Sequence, residues 1–292
     1  MNEDMEKWPS QDEHVIEAIG RCRVVVRCGR VVDVAPPLIA SCPLARKFTY
    51  PVAAIAPDEV GKNIEARVAG FGMCSPDRQL YSEGEFVGFG ASEILSFSLG
   101  AGLLDCAVIA CEGAGSVVVS DPGLIQGIGG RMSGLVSTTP IPGVILGIKR
   151  HGGRVLDPVH SAINPVAAVK LAINQGYRRV GVTVADADTC ERVRDLLPDA
   201  LVIAVHMTGI SPADAVRIVA SADIVTACAS KAIRDAVTGK ALVQAGSAVP
   251  VFAVTKRGKT VILAKVGAQD SPLFIRNMPL PVAWGEGPAP LV

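Results

Sequence analysis

The chain has no excess charge of either sign: Lys plus Arg and Asp plus Glu number 28 each among 292 residues. Without a basic field nothing is offered to a nucleic-acid backbone or an anionic membrane, which leaves small molecules and proteins as partners. No apolar run approaches the ~20 residues of a membrane span, and the first residues, MNEDMEKWPSQDEH, are polar and acidic. A cytoplasmic protein is expected. Cys-x-x-Cys is missing, which excludes a zinc ribbon and a ferredoxin signature. So are the Lys-Ser/Thr of a P-loop and a full Gly-x-Gly-x-x-Gly.

What is present is thiol. Eight cysteines are many for a cytoplasmic chain, where clustered thiols point to metal binding or redox work, although free cysteine also serves as a small buried hydrophobe. The stretch Asp105–Gly134 concentrates the candidate chemistry. Cys106 to Cys111 reads as a buried strand ending in Cys111-Glu112 and the turn Gly113-Ala114-Gly115-Ser116, whose amides could form an anion-binding nest. Asp121-Pro122 starts a helix that stops at Gly129-Gly130. Cys42, before Pro43 and near Arg46, and Cys74, before Pro76 and near Arg78, sit in two chemically similar loops where positive charge would favour a thiolate.

Elsewhere in the first half, Arg23–Arg27 and Val31–Ala35 flank Cys28-Gly29-Arg30 as a hairpin, and residues 56–69 suit an amphipathic helix. Gly88-Phe89-Gly90 before a helix containing Ser92 is a second place where amides could hold a phosphate. Ser137-Thr138-Thr139 reads as a turn and cap. Gly152-Gly153 and Asp157-Pro158 place a domain boundary there, giving units 1–152, 153–268 and a proline-rich tail 269–292.

The second half alternates strand and helix: strands over 180–184, 201–205 and 224–227, with helices from Asn164-Pro165, Asp188 and Ser211. That alternation predicts an α/β fold of two domains, the C-terminal one a doubly wound, mainly parallel sheet with its own hydrogen-bonding, the N-terminal one mixed α/β with a hairpin. Val251–Thr255 and Thr260–Lys265, joined through Gly258, read as an antiparallel edge hairpin. Open α/β sheets bind ligands beyond the carboxyl ends of their strands, so Asp186, His206 and Cys228 are expected on one rim, facing the loops of the first half.

Taken together, Ser-Cys42-Pro-Leu, Phe-Gly-Met-Cys74-Ser-Pro-Asp-Arg, Cys111-Glu-Gly-Ala-Gly-Ser, Gln126-Gly-Ile-Gly-Gly-Arg, Ala204-Val-His-Met-Thr-Gly and Cys228-Ala-Ser-Lys resemble the methanogenesis marker protein 8 family over nearly the whole chain. The resemblance implies an archaeal, methanogenic setting and carries no mechanism. Gly90-Ala-Ser-Glu-Ile-Leu, Gly102-Leu-Leu-Asp-Cys-Ala-Val-Ile and Gly129-Gly-Arg-Met-Ser also resemble a segment of the beta subunit of deazaflavin-reducing hydrogenase, which implies FAD, a deazaflavin and an iron–sulfur cluster.

The expectation carried forward is a metal- or iron–sulfur-binding protein of redox or maturation type, serving a methanogenic enzyme or its maturation complex. Its ligands would be Cys42, Cys74, Cys111 and Cys228, with His206, Glu112 and Asp186 as acid–base candidates. Two alternatives stand beside it: a flavin or deazaflavin oxidoreductase using Gly88, Gly90, Ser92, Gly113, Gly115 and Ser116 as its phosphate cradle, and a non-catalytic assembly factor.

Overall fold

The computed structural model describes residues 12–131, 134–270, 272, 274–283 and 285–292. Strands β1 (His14–Ala18), β2 (Cys22–Arg27) and β3 (Arg30–Val34) come first, and a long loop leads to helix α1 (Pro57–Phe71). Then follow α2 (Ala91–Gly100), β4 (Cys106–Cys111), β5 (Gly115–Val119), α3 (Pro122–Gly129), β6 (Gly134–Thr138), α4 (Pro142–Arg150) and β7 (Arg154–Val155). The second half runs α5 (Pro165–Asn174), β8 (Val180–Val184), α6 (Ala187–Leu196), β9 (Leu201–Ala204), α7 (Pro212–Ser221) and β10 (Ile224–Thr226). It closes with α8 (Lys231–Ala236), β11 (Val243–Ala245), β12 (Val251–Ala253) and α9 (Lys256–Gly267). No helix among the described residues is long and apolar enough to cross a membrane.

The fold is α/β, with two sheets. A small antiparallel sheet has the order β3-β2-β1-β6, and a large one the order β11-β12-β10-β9-β8-β4-β5-β7. Within the large sheet β10, β9, β8 and β4 are parallel neighbours. Antiparallel strands flank them on both sides.

Period-two alternation builds the layers. Leu201 and Ile203 face one apolar cluster and Val202 and Ala204 the other, as Ala107 and Ile109 oppose Cys106 and Val108. Helices α2, α3 and α9 cover the first face and α5 to α8 the second, giving a helix–sheet–helix sandwich. The helix starts follow local chemistry: Asp121, Asn164, Asp186 and Ser211 each accept an amide of the first turn through the side chain.

Three expectations are corrected. The second half does not close its own sheet, because β4 pairs with β8 and β5 with β7, so the ladder runs across residue 152. Residues 260–265 are helical rather than the second arm of a hairpin: Thr255 caps α9 by accepting the Gly258 amide at 3.1 Å, and buried Gly258, Val261, Ile262 and Lys265 recur at helical spacing. Ser137 and Thr138 lie in β6, which leaves the large sheet to pair with β1.

The turn between β4 and β5 is set by packing as well as by φ. Gly115 has φ +70°, and a β-carbon there would fall on the carbonyl of Ser161, whereas Gly152, at φ +78°, faces open space. Gly152→Ala isolates the backbone term and should cost about 1 to 2 kcal/mol. Gly115→Ala adds the collision and should cost about 3 kcal/mol or more. Equal losses in chemical denaturation would refute the packing account.

Candidate functional site

Glu112, Asp186, His206 and Cys228 follow β4, β8, β9 and β10. These strands are parallel neighbours, so all four residues leave the large sheet at one edge, which in open α/β sheets is the ligand-binding edge. The small sheet stands on that edge. Arg21 donates to the Thr208 carbonyl at 2.7 Å, the Gly113 amide donates to Thr138 Oγ1 at 2.7 Å, and a β-carbon at Gly134 would lie 3.4 Å from the His206 ring.

Asp186 is exposed, and its carboxylate caps α6 by accepting the Thr189 amide at 2.8 Å. His206 is half-buried at φ +61°, and loss of solvation pushes its pKa down to about 4, so the ring is neutral at pH 7. Glu112 is fully buried and paired with the equally buried Arg78. Arg78 also donates to the carbonyls of Gln79 at 2.5 Å and Ile128 at 3.3 Å and lies 4.9 Å over the Phe71 ring.

The four candidate thiols fall into two pairs by their electrostatic neighbours. Cys74 and Cys111 are sealed beside Glu112 and Arg78. Burial raises both pKa values well above the ordinary thiol range, the Glu112 carboxylate raises them further, and Arg78 opposes the rise. Both are therefore thiols at neutral pH.

Cys42 and Cys228 form the open pair, each half-buried, on loops that follow β3 and β10. Cys42 lines a cleft of about 270 Å³ with Ser41, Pro43, Arg46, Glu286, Gly287 and Ala289. Burial raises its pKa, the backbone amides of Leu44 and Ala45 oppose this, and the neighbouring charge of Cys228 adds to the rise. Among the described residues no three His, Cys, Asp or Glu side chains stand where they could share a metal ion.

Both glycine turns are filled by the chain itself. The Gly113 amide goes to Thr138, the Ala114 amide to the Cys111 carbonyl at 3.1 Å, and the Ser116 amide to the Ala162 carbonyl at 3.0 Å. Ser116 Oγ accepts the Asn164 amide at 2.8 Å. In the Gly88–Ser92 turn, the buried Glu93 carboxylate accepts the Phe86 amide at 3.2 Å and the Gln126 side chain at 2.9 Å, and it fills the space a β-carbon at Gly90 would need. A phosphate at either turn would have to displace these groups.

A family described as an uncharacterized protein conserved in archaea (DUF2099) matches residues 14–267. The chain belongs to this family. A relative, an uncharacterized protein of Methanocaldococcus jannaschii, is 39% identical over 285 residues, 96% of this chain and 100% of that protein. No solved structure matches.

This DUF2099 chain also carries a polar relay that its sequence does not announce. Buried Asp12 approaches His14 Nε2 at 3.0 Å, His14 Nδ1 meets Thr138 Oγ1 at 2.6 Å, and Thr138 receives the Gly113 amide. Asp12 also accepts the Cys28 amide at 2.6 Å. His14 and Thr138 are 124 residues apart, and only the pairing of β1 with β6 joins them. The alternation Asp12-x-His14 at the start of β1 was the one local hint.

Two outcomes follow. His206 binds a proton in the unfolded chain near pH 6.5 but in the folded one only near pH 4, so stability is complete above 6.5 and falls as pH drops toward 4. Asn tolerates positive φ, so His206→Asn should flatten this part of the stability profile. An unchanged acid limb in thermal melts would refute the assignment. Glu112→Gln leaves the Arg78 guanidinium buried without its counter-charge and should cost about 3 to 5 kcal/mol in denaturant unfolding; a loss near zero would mean that the pair is solvated.

Proposed function

We propose that this DUF2099 chain is a thiol-dependent protein, acting in redox exchange or in holding a soft metal ion, whose working groups are Cys42 and Cys228. The observation that supports this is that two half-buried thiols lie on loops tied together by the tail, Cys228 after β10 and Cys42 lining a cleft. The methanogenic setting comes from the resemblance of the motifs. A maturation role is the version in which the pair passes metal or electrons to a partner enzyme. Cys74 and Cys111 enter a four-thiolate centre only if their sealed loops open toward the cleft, which costs the packing around Glu112 and Arg78.

Metal, sulfide and thiol analysis of protein purified without oxygen tests the reading, with Cys42→Ser, Cys228→Ser and Cys74→Ala compared with wild type. Bound iron or zinc should be lost in both serine variants and kept in Cys74→Ala. If the protein carries no metal, mild oxidation should consume both thiols in wild type and spare the one that remains in either serine variant. Metal content and oxidation that ignore both substitutions would sink the proposal.

A further inference from the structure

The pair at Cys42 and Cys228 is not symmetric. Cys42 lines the cleft, with the amides of Leu44 and Ala45 near its sulfur, whereas Cys228 stands outside the lining. Thr226 Oγ1 lies 3.7 Å from Cys228 Sγ, and Arg234 donates to the Cys228 carbonyl at 3.0 Å. One thiol therefore meets an incoming molecule and the other waits behind it beside a cation.

The tail holds the two loops in register. Ala289 exchanges backbone bonds with Ser41 at 3.1 and 3.0 Å, Val292 donates to Ala229 at 2.9 Å, and Lys231 donates to Val292 at 3.0 Å. Residues 289 to 292 thus bridge the Cys42 loop to the Cys228 loop, and three residues span at most ~10 Å.

The cleft also has a charge preference. Among the described residues Arg46 is its one cationic side chain, and its partner, Glu286 at 2.9 Å, comes from the tail. Their side chains are 55% and 75% exposed, so the bond is a weak surface pair that an incoming anion can displace. At about 270 Å³ the space suits a small molecule rather than a folded partner.

Resting on the dithiol reading above, we infer that the cleft takes small organic disulfides bearing an anionic group, with Cys42 as the attacking thiol, Cys228 as the resolving thiol and Arg46 as the anion anchor. The Cys42 thiolate attacks one sulfur of R–S–S–R, forming a Cys42 mixed disulfide and expelling one RS⁻. The Cys228 thiolate attacks the Cys42 sulfur and expels the second RS⁻. The substrate gains two electrons, the protein loses two as a Cys42–Cys228 disulfide, and the two thiol protons pass to water or to the released thiolates.

The test uses the full chain, reduced without oxygen, in a Cys28→Ser background because Cys28 is exposed. The probes are dithiobis-nitrobenzoate, which is anionic, and dithiodipyridine, which is neutral. The expected result is rapid release of both thiolates and a Cys42–Cys228 disulfide in the peptide map. Cys228→Ser should stop at a probe adduct on Cys42, and Cys42→Ser should lose the fast phase. Arg46→Gln should slow the anionic probe about tenfold and leave the neutral one unchanged, and Glu286→Gln should speed the anionic probe.

A fast phase that survives Cys42→Ser, or equal slowing of both probes by Arg46→Gln, overturns the inference while a Cys42–Cys228 disulfide would still leave the dithiol reading standing. No such disulfide with either probe, in protein that also binds no metal through these thiols, overturns both.

Discussion

The buried Arg78–Glu112 pair fixes the loop after α1 against the end of β4. Glu112 leaves β4 directly beneath the small sheet, where an unpaired carboxylate would be costly, and Arg78 reaches it from the loop after α1. The guanidinium is satisfied on several sides at once, by Glu112, by two carbonyls and by the face of Phe71. That geometry pins the 72–79 loop over the end of β4 and seals Cys74 and Cys111 beneath it. At the β10 end of the same edge the cover is different in kind. The tail is held there by main-chain bonds and the exposed Arg46–Glu286 pair, and Cys42 keeps access to a cleft. One edge thus carries a closed thiol pair and an open one, and the difference lies in what holds the lid.

Thr138 is the second tie. Its hydroxyl accepts the Gly113 amide at the β4–β5 turn and meets His14 from the small sheet, so one side chain links the turn, β6 and β1. The turn that looked like an anion nest is rigid because those amides already have acceptors, and Gly113 and Gly115 are needed where their neighbours leave no room for a β-carbon. Glu93 does the same at α2: a carboxylate of the chain's own occupies the place where a helix start would welcome a phosphate.

The parallel half was legible because each strand is short and apolar and Ser211 caps its helix as its chemistry suggests, while Asp186, read as a rim carboxylate before a helix from Asp188, is itself the cap of α6. The strand-end rule places Asp186, His206 and Cys228 on one edge from the sequence alone, where the parallel strands carry them. Residues 251–265 misled because β-branched side chains flank Gly258, which imitates a hairpin turn; the apolar positions in fact follow a 3.6-residue period, and tertiary packing against the Asp223 carbonyl, not turn chemistry, demands the glycine. The sorting of the thiols was illegible for another reason. Cys42 and Cys228 stand 186 residues apart, and the tail that crosses between their loops ties those loops together.

Backbone strain marks the same edge. Cys74, His206 and Cys228 adopt φ of +54°, +61° and +47°, and Arg21, which braces the loop after His206, has +58°. Left-handed φ costs a non-glycine residue about 1 to 2 kcal/mol. Glycine would hold each of these turns without that cost, and the chain uses glycine freely elsewhere, as at Gly72, next but one to Cys74, and Gly209, three after His206. A thiol or imidazole kept on a strained backbone needs a compensating gain. For Cys74 burial in the core supplies it, since its side chain is fully enclosed. Cys228 is only half-buried and Cys28, at φ +46°, is exposed, so packing offsets less of the strain at these two thiols than at Cys74.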